Sequence, residues 1–227
     1  VYTRSRMKVI AGIGGNDTLA AASAARRAER LGADALLLTP PYYNKASSAG
    51  IVRHFSYVAE HSELPLIVYN VPSRTGVSCT PEHYARLAEI PRINGVKEAS
   101  GDISLVSRTR RLCGDALNIW SGNDDQTLPM LALGAKGVIS VASNVVPQVM
   151  SALCTAALSG DFFTARALHE AYAELFEALF YEVNPIPVKT AMQLLGWDSG
   201  RLRLPLCPMA EENAARLRVC LESLQLL

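Results

Sequence analysis

The stretch that decides the fold is Ile93-Asn94-Gly95-Val96-Lys97-Glu98-Ala99-Ser100. Its apolar and small residues are typical of a short buried strand, and Ser100-Gly101-Asp102 is a helix-start signal. Lys97 therefore lies near the carboxyl end of the strand, which is where parallel barrels build their active sites. Burial disfavours an ammonium and lowers the pKa of a lysine, so that its amine can attack a carbonyl and form a Schiff base. The alternative is a surface lysine that pairs with a nearby carboxylate.

Similar strands alternate with helical patterns on both sides of this stretch. Strands are predicted at residues 8–12, 35–39, 66–69, 93–98, 118–121 and 137–141, with helices at residues 16–31, 47–61 and 81–90 among them. Near-continuous apolar strands joined by helices indicate an α/β fold with a parallel sheet that is covered on both faces. The short and nearly regular connections favour a (β/α)8 TIM barrel. About six of the eight units are visible, so we expect two more before Val1.

The pattern changes to helices alone after residue 159. These helices are predicted at residues 162–181, 187–195 and 211–224, with prolines in the loop before the last one. We therefore divide the chain into a partial catalytic (β/α) barrel, residues 1–159, and a C-terminal helical region, residues 160–227.

The composition points to small-molecule chemistry. The chain has 227 residues, 49% of them hydrophobic, and its formal net charge of +1 offers no basic surface for nucleic acid or an acidic membrane. No apolar run approaches the roughly 20 residues that a membrane span needs. The polar start Val1-Tyr2-Thr3-Arg4 predicts that no signal peptide is present.

The cysteines and histidines argue against a metal or cofactor. The five cysteines are widely spaced and odd in number, which is typical of reduced thiols in a cytoplasmic protein. The four histidines have no acidic or cysteine partner at metal-ligand spacing. Gly12-Ile13-Gly14-Gly15 lacks the third glycine of a dinucleotide-binding motif, where Asp17 stands, and indicates a tight turn.

Polar residues that suit catalysis come directly after the predicted strands. Tyr69 offers a phenol for proton transfer, and Arg74 in the same loop offers a planar guanidinium for a carboxylate. Tyr43 follows the second strand, Gly122 follows the fifth, and Ile139 lies within the sixth. Each residue also has a structural explanation, such as a half-buried aromatic ring at Tyr69 or a surface charge at Arg74. The shared position at strand ends favours the catalytic interpretation.

These motifs together resemble the dihydrodipicolinate synthase family. The similarity rests on Tyr69-Asn70-Val71-Pro72-Ser73-Arg74-Thr75-Gly76, Gly95-Val96-Lys97-Glu98-Ala99, Pro41-Tyr42-Tyr43-Asn44, Gly137-Val138-Ile139-Ser140 and Asn184-Pro185-Ile186-Pro187-Val188-Lys189, in that family's order along essentially the whole chain. It implies a lyase of the class I aldolase type that condenses pyruvate with L-aspartate 4-semialdehyde in the diaminopimelate route to lysine. No metal or other cofactor is implied.

The resemblance also implies a role for each candidate residue. Lys97 forms the Schiff base with pyruvate, Tyr69 relays protons with Tyr43 from a neighbouring subunit, Arg74 holds the semialdehyde carboxylate, and Ile139 and Gly122 line the pyruvate pocket. The implied assembly is a homotetramer, a dimer of dimers, with Tyr42 and Tyr43 at the dimer contact.

The chain departs from the family pattern in two respects. The family's Gly-Thr-Thr-Gly-Glu segment, which contacts the pyruvate carboxylate, would precede Val1. Lysine-sensitive members of the family use positions that match Asn16 and Tyr42, together with an acidic residue where this chain has Ala20. An alanine cannot pair with the ammonium of lysine, so we expect weak or absent inhibition by lysine.

Two other functions stay open from the sequence. Another pyruvate-dependent class I aldolase, similar to N-acetylneuraminate lyase, would share the lysine strand and the tyrosine, whereas Arg74 favours a short amino-acid aldehyde. A truncated inactive paralogue would instead leave sheet edges exposed.

Overall fold

The computed structural model describes residues 6–227, so the polar segment Val1-Tyr2-Thr3-Arg4 on which the signal-peptide prediction depends lies outside the described residues. The contacts group the chain into two compact units. The first comprises Val1–Gly122 and Leu133–Lys136, and the second comprises Asn123–Ala132 and Gly137–Leu227. The division at residues 159 and 160 remains a prediction about domain organisation.

The first unit is built on a parallel sheet. Its strands are β1 Ile10–Gly12, β2 Ala35–Leu38, β3 Leu66–Asn70, β4 Ile93–Glu98 and β5 Asn118–Ser121, and they pair in the order of the sequence. The consecutive residues Leu66, Ile67 and Val68 of β3 are all buried, as expected for a strand that is covered on both faces. The parallel α/β sheet predicted from the apolar runs is confirmed.

Helices follow each of these strands except the last within the same unit. They are α1 Thr18–Arg30, α2 Ser48–Ala59, α3 Pro72–Thr75, α4 Pro81–Ala88 and α5 Ile103–Cys113. Short polar side chains cap the N-termini of four of them, and α3 has no such cap. The Asp17 carboxylate accepts the N–H of Ala20 at 2.8 Å, and Thr80 caps α4 with Pro81 in its first turn. The helix predicted at residues 81–90 therefore begins at Pro81 as expected, and the one predicted at residues 16–31 begins two residues later, at Thr18.

The second unit is helical and packs around its own core. Its helices are α6 Thr127–Ala132, α7 Pro147–Leu158, α8 Phe162–Ala171, α9 Ala173–Ala178, α10 Ile186–Leu194 and α11 Glu211–Ser223. Leu175, Leu179, Leu217 and Leu221 are buried together in a single apolar cluster. The helix-only pattern predicted after residue 159 is therefore found.

Two predicted elements differ from the structure. Residues 137–141 form no strand, and Val138 makes only an isolated bridge. The N–H groups of Val141 and Ala142 instead donate to the carboxylate of Asp124, at 3.1 and 2.9 Å, and a short 3₁₀ helix begins there. A side chain thus takes the hydrogen bonds that a neighbouring strand would have supplied.

The predicted helix at residues 162–181 is likewise divided, with a turn at Tyr172 between α8 and α9. Ala165 of α8 packs with Leu131 and Leu153, whereas Leu175 of α9 packs in the larger cluster. The apolar periodicity continues through the turn, so the sequence does not reveal that the two halves serve different cores.

Candidate active site

The adjacent ends of β3 and β4 bring Lys97 and Tyr69 together. The two residues are direct partners in the parallel register of these strands. Lys97 is only 9% exposed, and its Nζ lies 4.4 Å from the centroid of the Tyr69 ring. The amine predicted to be the nucleophile is thus largely removed from water and lies against an aromatic face.

Tyr69 is half-buried, and burial raises the pKa of its phenol above the ordinary value of 10.0. The nearby charge of Arg74 opposes this rise. The phenol therefore keeps its proton at neutral pH and can donate it. Arg74 lies on the one-turn helix α3, which begins at Pro72 and is followed by Gly76 in the left-handed conformation. The guanidinium is on the exposed side of the loop, where it can meet a carboxylate.

Gly122 forms a wall beside the Lys97 side chain. Its N–H donates to the carbonyl of Glu98 at 2.7 Å, which continues the pairing of β4 and β5. A Cβ at this position would lie 2.6 Å from the Ala99 Cβ and 3.1 Å from the Lys97 Cε. Only glycine lets the backbone approach the lysine stem this closely.

We expect Gly122→Ala to destabilise the protein by about 1–3 kcal/mol, the usual cost of overpacking, and to displace Lys97. Thermal unfolding and the rate of lysine modification by a carbonyl compound and borohydride would measure the two effects. Gly15→Ala is the matched control because a Cβ there meets nothing within 4 Å. Equal behaviour of the two variants would contradict the close approach at Gly122.

Tyr43 lies on an exposed loop, in contrast to the buried Lys97 and the half-buried Tyr69. Its side chain is 88% exposed and its φ is 73°, while its N–H donates to the carbonyl of Thr75 at 3.5 Å. This contact joins its loop to the loop that carries Arg74. Tyr42, the preceding residue, is 42% exposed.

Ile139 belongs to the second compact unit, where it is half-buried. It precedes the turn at Val141 and Ala142. The N–H groups of these two residues donate hydrogen bonds to the carboxylate of Asp124. The backbone near Ile139 is therefore held by a side chain and not by a strand ladder.

Sequence analysis missed a buried polar network directly beside the candidate site. Glu98 is 3% exposed, and its carboxylate accepts hydrogen bonds from Asn70, Tyr84 and the N–H of Ser100. The signal was present, because an acidic residue and an amide directly follow Lys97 and Tyr69 within apolar strands. Their partner Tyr84 comes from α4, which no local pattern connects with these strands.

Residues 6–227 contain no group of three His, Cys, Asp or Glu side chains that could hold a metal ion. The absence of a metal or cofactor stays a prediction. Within the same residues, every helix is too short or too polar to cross a membrane.

Comparison with known proteins gives a consistent result. The model of the dihydrodipicolinate synthetase family matches residues 2–224. A 4-hydroxy-tetrahydrodipicolinate synthase of Sulfurihydrogenibium sp. (strain YO3AOP1) is 48% identical over 219 residues, which are 96% of this chain and 75% of the relative.

Solved structures of high similarity agree with this match. Dihydrodipicolinate synthase from Aquifex aeolicus has a TM-score of 0.97 at 44% identity, with 99% of this chain and 77% of that chain covered. The chloride-inhibited synthase of Acinetobacter baumannii complexed with pyruvate has a TM-score of 0.97 at 41% identity, with the same coverage. These neighbours confirm the TIM-barrel class, while the number of units stays a prediction.

Proposed function

The chain belongs to the dihydrodipicolinate synthetase family, and from this premise we propose that Lys97 is the nucleophile of a 4-hydroxy-tetrahydrodipicolinate synthase. The family consists of lyases of the class I aldolase type, which act on pyruvate and L-aspartate 4-semialdehyde. The observation that carries the assignment of Lys97 is its buried Nζ, 4.4 Å from the centroid of the Tyr69 ring at the end of β4.

The reaction we propose takes place on the Lys97 amine, while the Tyr69 phenol transfers protons and the Arg74 guanidinium holds a substrate carboxylate. The Lys97 amine adds to the carbonyl carbon of pyruvate, and loss of water leaves a protonated Schiff base. Removal of a proton from the methyl carbon gives an enamine, whose carbon bonds to the aldehyde carbon of the semialdehyde. The aldehyde oxygen takes up a proton as it becomes a hydroxyl. The amino group that came with the semialdehyde then adds to the Schiff-base carbon, and departure of the Lys97 amine leaves a cyclic imine and restores the free lysine.

Tyr69 is the group we assign to proton transfer. Its phenol is neutral at neutral pH because burial raises its pKa, so it can protonate the oxygen that leaves as water. We assign Tyr43 to the same relay from a neighbouring subunit, and its 88% exposure supports this assignment, since an exposed tyrosine is free to reach another chain.

The remaining residues bind substrate in this proposal. Arg74 holds the carboxylate of the semialdehyde, for which its exposed guanidinium on the loop after β3 is suited. Gly122 lines the pyruvate pocket beside the Lys97 stem, where its lack of a side chain leaves room. On the family resemblance, we assign the backbone of Ile139 to the binding of pyruvate.

The relatives favour the synthase over the alternative aldolases. A chain that is 48% identical over almost the whole of this one carries the synthase name, and the solved neighbours are dihydrodipicolinate synthases. This agreement confirms the synthase prediction over an N-acetylneuraminate lyase-like activity.

The direct test is reductive trapping. We expect incubation with pyruvate and borohydride to add one pyruvyl group to the chain, and a peptide map should locate it on Lys97. Turnover should then be higher with aspartate semialdehyde than with sugar-derived aldehydes. A folded chain that forms no adduct would contradict the assignment of Lys97 and favour the inactive paralogue.

We also propose a cytoplasmic homotetramer that lysine inhibits weakly. The exposed Tyr42 and Tyr43 support a subunit contact at their loop, because large aromatic side chains are enriched at interfaces. The cysteine pattern supports the cytoplasm. Ala20, whose side chain carries no charge to pair with an ammonium, supports weak inhibition.

A further inference from the structure

The buried carboxylate of Glu98 lies on the face of β4 opposite to that of Lys97, since successive side chains of a strand alternate. Asn70 donates its amide to both carboxylate oxygens, at 3.0 and 3.1 Å. Tyr84 donates its hydroxyl at 2.6 Å, and the N–H of Ser100 donates at 2.8 Å. One side chain thus connects β3, α4 and the loop that follows β4.

Asn70, Tyr84 and Ser100 each donate a hydrogen bond to Glu98. An ionised carboxylate can only accept hydrogen bonds, so these partners suit it. Burial raises the pKa of the Glu98 carboxyl above its ordinary value, and the donated hydrogen bonds oppose that rise. The network extends through Asn70, whose side-chain oxygen accepts the N–H of Cys79 at 3.0 Å.

The register places this network directly behind the candidate site. Tyr69 pairs with Lys97, and the next pair along the same strands is Asn70 with Glu98. The backbone repeats the connection, since the N–H of Ala99 donates to the Asn70 carbonyl at 2.9 Å. A shift between the strand ends that separated Lys97 from Tyr69 would therefore have to break the contacts of Glu98.

Stability alone does not account for a charged group at this position. Removing a carboxylate from water is costly, and apolar residues of similar volume often stabilise such sites equally well or better. What an apolar residue cannot do is accept hydrogen bonds from three different segments and fix their relative positions.

We propose that Glu98 is a positioning residue that, through Asn70 and Tyr84, holds the ends of β3 and β4 in the register that keeps Lys97 against Tyr69. This inference rests on the proposed function, in which Lys97 is the nucleophile. Glu98 itself does not touch substrate in this account.

The test measures the rate of pyruvate trapping at Lys97 by borohydride, together with kcat and KM, in the full chain and its variants. We expect Glu98→Ala to lower the trapping rate and kcat by about 10²-fold, as small misplacements of catalytic groups do, with less change in the KM for pyruvate. Glu98→Gln should stay within about threefold of the unchanged chain, because its amide can still accept from Asn70 and Ser100 and can donate to the Tyr84 oxygen.

Two further variants keep the inference testable if Glu98→Ala does not fold. Tyr84→Phe keeps the buried ring and removes only the hydroxyl, with its hydrogen bonds to Glu98 and Asn70, and it should lower the trapping rate by about tenfold. Leu87→Ala, at a fully buried position on the same helix, is the control for loss of stability. Even if Leu87→Ala lowers the melting temperature as much as Tyr84→Phe does, we expect it to trap pyruvate at nearly the rate of the unchanged chain.

The outcomes separate this inference from the proposed function. Trapping at the unchanged rate in folded Glu98→Ala or Tyr84→Phe would overturn the positioning role and leave Lys97 as the nucleophile. A Glu98→Gln variant as slow as Glu98→Ala would also overturn it, since charge and not position would then be decisive. Absence of an adduct in the unchanged chain would instead reject the proposed function.

Discussion

Replacing Lys97 by arginine should abolish the pyruvyl adduct and lower kcat/KM by at least about 10⁴-fold, the scale seen when a catalytic nucleophile is removed. The guanidinium of arginine stays protonated and cannot add to a carbonyl. Arginine also fills the space of a long side chain at a position that is only 9% exposed, so an unfilled cavity cannot explain the result. Peptide mapping after borohydride trapping and a coupled condensation assay would measure both effects.

Lys136→Arg is the matched control for this substitution. Lys136 is an exposed lysine of the same compact unit, and its backbone N–H donates to the carbonyl of Ile119 at 2.7 Å, a contact that arginine preserves. Its kcat/KM should equal that of the unchanged chain. A pyruvyl adduct that persists in Lys97→Arg would show that another amine is the nucleophile.

Tyr69→Phe is the second substitution with a large expected effect. It should lower kcat by about 10²- to 10³-fold, the usual contribution of a general acid or base. The phenylalanine ring preserves the aromatic face against which the Lys97 amine lies, so pyruvate trapping should slow but still occur at Lys97. Steady-state kinetics and single-turnover trapping would separate the effects on proton transfer and on the nucleophile.

The pH dependence provides an independent check on Tyr69. Burial raises the pKa of the phenol above 10.0, so its deprotonation should not limit kcat below pH 10. Any alkaline decline above that pH that is due to Tyr69 should disappear in Tyr69→Phe. Tyr57→Phe is the control and should leave kcat unchanged. Tyr57 lies in α2, and its ring stacks on that of His61 in the turn after the helix. A Tyr69→Phe variant with normal kcat would remove Tyr69 from the mechanism.

Local signals were sufficient to predict most elements of the first unit. The strands Ile93–Glu98 and Asn118–Ser121 have the predicted bounds, and β3 extends one residue beyond its prediction, to Asn70. Short apolar runs bounded by turn residues identify buried strands because burial on both faces removes the need for polar positions. The caps at Asp17 and Thr80 could be predicted for a similar reason, since a side chain three residues away satisfies the helix N–H groups.

Contacts between distant segments could not be predicted in this way. Residues 137–141 are as apolar as the other runs, yet Asp124 takes the N–H groups at the end of that segment and no strand forms. The apolar periodicity also does not predict the turn at Tyr172. That turn arises because α8 and α9 pack in two separate apolar clusters.

For the candidate site, the sequence by itself determined which residue types stand at the strand ends: a lysine, a tyrosine, an arginine and a glycine, each directly after an apolar run or in the loop beyond it. Only the tertiary structure decided that Lys97 pairs with Tyr69 and that Gly122 closes on the lysine stem. It alone connected Glu98 with Asn70 and with Tyr84, 14 residues earlier in the chain. The physical reason is that strand register and the burial of a carboxylate depend on pairing between distant segments, whereas strand and helix propensities act over a few neighbouring residues.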